Sequence, residues 1–332
     1  MTIADWSSYQ ASALSYQQAL APALSCRCWS LRLKADGLVG RFRSTLTYVL
    51  ALTRAAAGEG RHTTLVHSRK EALRYNGKVT ILRPIPHDIR LIVFDLDGTL
   101  IDSKEDLALS VNLMRAEMGL GPLEYDLIAS YVGQGVGMLV RRALANGRPL
   151  RPGAKPESVP DEDVERGVEI FLRTYRLHML DHTVTYPGVR EALAELDDGK
   201  VPSLIPSPVC ANSSPPRTLA VLTNKPVNFS RTILIGLGIA SHFAVVYGGN
   251  SPELNQKKKP DPEGLFKLMG DAGATANQTL MVGDSDTDVL TGRNAGVWIC
   301  GVTYGIGSHT LETTPPDVLV GDMRELAAFL GE

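Results

Sequence analysis

Two aspartates flank one leucine in LIVFDLDGTLIDS, residues 91–103, directly after an apolar run. Side chains two residues apart on an extended segment point the same way, so Asp95 and Asp97 address one small volume. Neighbouring carboxylates repel unless a cation or a shared proton relieves them. With a divalent metal at hand, one carboxylate can attack an electrophile while the other gives and takes a proton. The plainer reading is an aspartate turn capping a helix that starts near Ser103, and for an isolated Asp-x-Asp that is the commoner case.

Three further stretches bear on the choice. VGDSDTD, residues 282–288, places Asp284 after a second apolar run and Asp288 one helical turn later. Mg²⁺ takes oxygen ligands and keeps several waters, so few protein carboxylates suffice to hold it. The same acids would also favour a plain helix N-terminus. LTNKP, residues 222–226, closes another apolar run with Thr223 and Asn224. A hydroxyl and successive backbone N–H groups there can hold phosphate oxygens, or form only a polar turn. KKKPDP, residues 257–262, is a lysine run of the usually solvated kind, but Lys259 precedes Pro260. Its restricted backbone can aim it inward.

The elements that must position these residues follow a regular plan. LIVF (91–94), LAVLT (219–223), FAVVYGG (243–249), LMVGD (280–284) and VWICGVT (297–303) read as short buried strands. Helical periodicity lies between them, near 187–198, 227–237, 262–272 and 286–295. This alternation predicts an α/β fold with a doubly wound, parallel, Rossmann-like sheet. Ligands of such sheets bind outside the carboxyl ends of the strands. Asp95, Thr223 and Asp284 all fall at those ends. More than a hundred residues separate the first two strands, far beyond a normal crossover. Within them, 103–120, 137–147 and 161–180 carry helical spacing, which predicts a small helical domain folding over the strand ends. The expected organisation is a core of 89–105 and 187–332, a helical cap domain of 106–186 inserted after the first strand, and an exposed Pro/Ser-rich loop at 200–217.

Composition limits the remaining possibilities. The chain has 332 residues, 44% hydrophobic and 21% charged, an ordinary globular balance. A net charge of −2 argues against a protein built mainly to hold nucleic acid. Residues 1–88 carry 12 Lys and Arg against 5 Asp and Glu, a surplus of seven positive charges, which leaves the rest nine negative. That segment shows no sustained strand or helix pattern. It reads as a basic extension, dispensable or a targeting segment. Cys26, Cys28, Cys210 and Cys300 form no C-x-x-C pair and no disulfide framework, so a reducing cytoplasm is expected. No apolar run nears the ~18 residues that span a bilayer, and no membrane partner is expected.

The four motifs in this order resemble the haloacid dehalogenase superfamily of phosphohydrolases: DLDGT, LTN, KKP and GDSDTD. The resemblance implies Asp95 as a nucleophile forming an aspartyl-phosphate, and Asp97 as the acid and base. It implies phosphate binding by Thr223, Asn224 and Lys259. Mg²⁺ would be held by Asp95, the backbone carbonyl of Asp97, and Asp284, with Asp288 assisting and Thr99 behind. An acid at residue 97 is shared by phosphatases and phosphomutases, and absent from dehalogenating members and P-type pumps. YVGQGVGMLVRRAL (131–144) and YRLHMLDHTVTYPGVREAL (175–193) are similar to the cap of the phosphoglycolate phosphatase branch. Carried over, Gly133, Gln134, Gly135 and Arg141 would meet a small phosphorylated metabolite, 2-phosphoglycolate first. Another small-molecule phosphatase, a pyrophosphatase or a hexose phosphomutase would keep the same two aspartates. Arg142 reads as a solvated helix residue, and His178 and His182 as structural. Asn250 departs from the aspartate common in that branch.

Overall fold

The computed structural model describes residues 73–75, 79–86, 88–146, 159–197, 217–255 and 257–331. Eight strands form one sheet: Leu73–Tyr75 (β1), Val79–Ile81 (β2), Leu91–Phe94 (β3), Thr218–Leu222 (β6), Val245–Tyr247 (β7), Thr279–Gly283 (β8), Trp298–Val302 (β9) and Val318–Val320 (β10). Their order is β1-β2-β10-β9-β8-β3-β6-β7, and the six strands from β10 to β7 are parallel. Both faces of a parallel sheet are covered, so β3 and β8 are buried at every position and read as continuous apolar runs. Ile92 and Phe94 join the core on one face, with Val221, Ile233 and Leu326. Leu91 and Val93 join the other, with Ala220, Leu265 and Leu268. The covering helices are Val189–Leu196 (α5), Val227–Gly236 (α6), Glu263–Ala272 (α7), Asp286–Ala295 (α8) and Met323–Gly331 (α9).

From β3 the chain steps outward through β6 and β7, then returns to β8 on the other side and steps out through β9 and β10. The two directions part between β3 and β8, and a crevice opens at that switch point. Asp95 follows β3 and Asp284 follows β8, so topology alone puts both aspartates at its mouth.

The sheet reaches further towards the N-terminus than the sequence predicts. Strand β2 pairs antiparallel with β10, and β1 with β2. Leu82 and Arg83 donate backbone hydrogen bonds to the Asp317 carbonyl, and Arg83 forms a two-point ion pair with the Asp317 carboxylate at 2.7 and 2.9 Å. The expected boundary at residue 88 thus falls inside the folded unit. Strands β1, β2 and β10 have three residues each, too few to display a period of their own. Residues 1–72, most of the 200–217 loop, and Cys26, Cys28 and Cys210 lie outside the described residues. Among the described residues no helix is long and apolar enough to cross a membrane.

Four helices form an insert between β3 and β6: Lys104–Glu117 (α1), Tyr125–Ala129 (α2), Val136–Ala145 (α3) and Asp161–His178 (α4). It is entered and left through a short antiparallel pair, Ile101–Asp102 (β4) and Val184–Thr185 (β5). Helices α1 and α3 pack on α4 through Val111, Met114, Val140, Leu144, Ile170 and Phe171. Arg115, almost wholly buried, donates to the carbonyls of Gly121 (2.7 Å), Asn146 (2.9 Å) and Ala143, fastening the ends of α1 and α3 together.

One carboxylate anchors the way out of the insert. Asp106, fully buried in the first turn of α1, accepts hydrogen bonds from the His182 N–H (3.0 Å), the Thr183 N–H (2.8 Å) and the Thr183 hydroxyl (2.7 Å). A buried carboxylate is tolerable only when its lone pairs are met in this way. His182 Nδ1 also lies 3.0 Å from Asp106, and His178 Nδ1 lies 2.7 Å from Asp181, so both histidines have structural partners. Replacing Asp106 by alanine strands the Thr183 donors in the interior, at a cost of about 3 kcal/mol. Calorimetry of Asp106→Ala should show Tm lowered by roughly 6–12 °C. A Tm equal to the parent's would mean that the insert is held by its apolar contacts alone.

Candidate active site

The loops that follow β3, β6 and β8 meet in the crevice. Asp95 extends the sheet by one bond, its N–H donating to the Val282 carbonyl at 2.9 Å, before the chain turns. Gly98 makes that turn possible. It has φ +89°, and a Cβ there would lie 2.2 Å from Asp284 Oδ2. Only glycine combines that backbone with so close an approach. On its other side Asp284 Oδ2 accepts the Gly307 N–H at 2.7 Å.

Asp95, Asp284 and Asp288 form one buried cluster, each offering an oxygen within 4.8 Å of the others. Lys259 supplies the countercharge, its Nζ 2.7 Å from Asp95 Oδ1 and 2.6 Å from Asp288 Oδ1. Asp288 Oδ2 accepts from the Ser285 N–H (3.1 Å) and hydroxyl (2.8 Å). Asp288 thus caps α8 and joins the cluster at once. Burial pushes the Asp95 carboxyl up to about 6, with Lys259 opposing and Asp288 adding to the rise. Burial, then Asp288 and Asp95, raise Asp284 well above the ordinary carboxylate range. Burial would lower the Lys259 ammonium, but Asp288 and Asp95 outweigh it and the net shift is upward.

One lysine among three buried carboxylates leaves surplus negative charge. An all-oxygen donor set of that charge fits a hard divalent cation such as Mg²⁺ and not a soft one. The Thr99 hydroxyl, fully buried within the same turn, finds no hydrogen-bond partner among the described residues.

The Asp97 carboxylate lies outside this cluster. Lys225 Nζ contacts it at 2.9 and 3.0 Å, and the Ser103 hydroxyl donates to Oδ1 at 2.5 Å. Lys225 is buried and sits 4.7 Å over the ring of Tyr175 from α4. None of these three partners was among the expected site residues. The only signal for Lys225 was its place directly after Thr223 and Asn224, and a lysine in a turn ordinarily reads as solvated.

Thr223 is buried at the end of β6, its Oγ1 accepting the Lys225 N–H at 3.2 Å. Asn224 follows it at the cavity wall. Its side-chain Oδ1 accepts the Lys259 N–H (2.9 Å), and Nδ2 donates to the carbonyls of Lys259 (3.1 Å) and Gly133 (3.0 Å). The side-chain amide thus fixes the backbone that carries Lys259, which explains how a solvated-looking lysine is turned inward.

A cavity joins core and insert, with Asp95, Asp97, Thr223 and Lys225 on one side and Gly133 and Gly135 on the other. Gln134 and Arg141, expected to face it, do not line it. Gln134 Oε1 accepts from Arg142 at 2.7 Å, and Arg141 is held by the Val159 carbonyl (2.9 Å) and Asp161 (2.5 Å) at the start of α4. A stretch of like motif does not say which face of α3 a neighbouring acid will claim. Asn250, the departure from the branch pattern, accepts the Val227 N–H at 2.8 Å and so serves the first turn of α6.

The family model of haloacid dehalogenase-like hydrolases matches residues 89–296. The chain belongs to that family. A phosphoglycolate phosphatase of Pseudomonas fluorescens strain Pf0-1 is 37% identical to this hydrolase over 239 residues, 71% of this chain and 78% of that one. One from Neisseria gonorrhoeae is 35% identical over 243 residues, 72% of this chain and 92% of that one. The crystal structure of a predicted phosphoglycolate phosphatase from Haemophilus somnus 129PT has a TM-score of 0.61 at 29% identity, covering 73% of this hydrolase and 98% of that chain.

In this hydrolase the approach of Gly98 to Asp284 is open to direct test. Gly98→Ala must push the Asp284 carboxylate out of the cluster. Differential scanning fluorimetry should then show no Mg²⁺-dependent rise in Tm, where saturating metal adds about 2.7 kcal/mol to the parent at a hundredfold excess over Kd. An unchanged rise would place the cation away from Asp284.

Proposed function

We propose that this hydrolase is a Mg²⁺-dependent phosphomonoesterase that works through an aspartyl-phosphate on Asp95, with 2-phosphoglycolate as its substrate. The observation that carries the reading is the division of surroundings between the two aspartates. Both line one cavity, yet Asp95 belongs to the buried cluster with Lys259, while Asp97 is held apart by Lys225 and Ser103. Two carboxylates in unlike settings can take two unlike roles.

In the first step an Asp95 oxygen attacks phosphorus. The O–P bond forms, the ester P–O bond breaks, and Asp97 gives its proton to the departing alkoxide. In the second, water attacks phosphorus, Asp97 takes its proton, and the bond to Asp95 breaks to release phosphate. Lys259 sits where it would offset charge on the phosphoryl oxygens, and Thr223 would donate its hydroxyl to them. Mg²⁺, held by Asp95 and Asp284 with Asp288 beside them, would screen the repulsion between the phosphate and the attacking carboxylate.

The substrate assignment rests on the lining of the cavity and on likeness. The backbone at Gly133 and Gly135 suits a small anionic ligand, and the relatives above carry the name phosphoglycolate phosphatase. Phosphate release with and without Mg²⁺ should be measured on 2-phosphoglycolate, pyrophosphate, glucose 1-phosphate and nucleotides. We expect a clear preference for 2-phosphoglycolate, with kcat falling at least about 10³-fold in Asp95→Asn. Preference for another compound would overturn the substrate and keep the chemistry, and activity unchanged in Asp95→Asn would overturn the nucleophile.

A further inference from the structure

Lys225 is the one lysine at this site that the reaction above leaves without a task. Its side chain is 5% exposed, and burying an ammonium is costly unless its protons are met. They are met on two sides. The Asp97 carboxylate takes both short contacts, at 2.9 and 3.0 Å, and the face of the Tyr175 ring lies 4.7 Å behind. An ammonium over an aromatic face is attracted to it, more strongly away from water. Tyr175 is itself buried, stacked on Phe171 at 5.5 Å and set edge-on to Phe229 at 5.5 Å. The ring therefore cannot swing away from the lysine without disturbing the packing of α4.

The two Asp97 oxygens are not equivalent. Oδ1 is held by both Ser103 (2.5 Å) and Lys225 (2.9 Å), whereas among the described residues Oδ2 meets Lys225 alone (3.0 Å). An oxygen that already accepts two donors is poorly placed to carry a proton, and the less engaged oxygen is free to do so. Three parts of the chain converge on this carboxylate: the β6 loop through Lys225, the first residue before α1 through Ser103, and α4 through the ring beneath Lys225.

We infer that Lys225, backed by Tyr175, is a positioning residue that sets the orientation of Asp97, so that Oδ2 is the atom that hands the proton to the leaving oxygen. The inference deepens the reaction proposed above and rests on Asp97 acting as its acid. It makes the helical insert part of the acid's mounting, because Ser103 and Tyr175 both belong to it. In the step concerned, the proton moves from Asp97 Oδ2 to the leaving oxygen as the P–O bond breaks. Lys225 keeps all of its own protons.

The need for that proton depends on the leaving group. An alkoxide needs it most, phenoxide less and 4-nitrophenoxide least. The test compares kcat/KM, which reports the steps up to departure of the leaving group, for Lys225→Met and the parent. The substrates are 2-phosphoglycolate, phenyl phosphate and 4-nitrophenyl phosphate. We expect a graded loss of about 100-fold, about 10-fold and under about 3-fold respectively, within the range of general acid catalysis.

An equal loss on all three would make Lys225 a structural or phosphoryl-binding residue and overturn the inference. A loss confined to 2-phosphoglycolate, with both aryl esters untouched, would make it a contact for the substrate carboxylate and overturn it too. No loss at all would do the same. If the parent ignores 2-phosphoglycolate but the aryl esters are graded, the substrate assignment fails and the role of Lys225 stands. Circular dichroism and Tm establish that the variant is folded. Should Lys225→Met not fold, Tyr175→Leu, which removes the ring and keeps the lysine, carries the same comparison with a shallower gradient.

Discussion

Four carboxylates from the ends of two strands, gathered with two ammonium groups and largely buried, are the constraint on which this structure turns. Taking such charges out of solvent costs several kcal/mol for each ion, and only close opposite charge and well-made hydrogen bonds offset it. The balance is struck in two separate accounts. Lys259 serves Asp95 and Asp288, and Lys225 serves Asp97. Neither lysine could do so from a mobile backbone. Asn224 holds the Lys259 peptide on both sides, and the Thr223 hydroxyl takes the Lys225 N–H. Residues of the second motif thus hold both cations in place, one through each neighbour in the sequence.

The sheet explains why these loops meet at all. Parallel strands end on one edge, and the reversal of strand order between β3 and β8 leaves a gap there that no crossover helix fills. The acid pair leaves β3, the second acidic cluster leaves β8, and the threonine leaves β6 on the other flank. Each end is fixed by ladder hydrogen bonds, so the geometry of the charges inherits the rigidity of a buried sheet.

The helical insert supplies what the sheet edge lacks. It brings a wall of small-residue backbone at Gly133 and Gly135, an aromatic floor at Tyr175, and a hydroxyl at Ser103. Its own position is not left to a flexible tether. The β4–β5 pair and the buried Asp106 fasten both passages between insert and core. Arg141, which looks like a substrate ligand in the motif, is taken up inside the insert by Asp161 and Val159, and Arg142 by Gln134.

What the sequence by itself determined is what is local. Apolar runs of four or five residues marked β3, β6, β8 and β9, and acids or a threonine directly after three of them marked the strand ends that bear chemistry. The Asp95–Asp97 spacing, the Gly98 turn and the cap–cluster duality of Asp288 are matters of a few bonds. Among the three-residue strands β7 showed as an apolar run, whereas β1, β2 and β10 escaped. The pairing of charges also escaped. Lys225 and Asp97 are 128 residues apart, and Asn224 and Lys259 are 35 apart. Which lysine meets which carboxylate depends on the order of strands in the sheet and on the seating of α4. Only the tertiary structure decided that, because electrostatic pairing acts through space and the chain records only which charges are available.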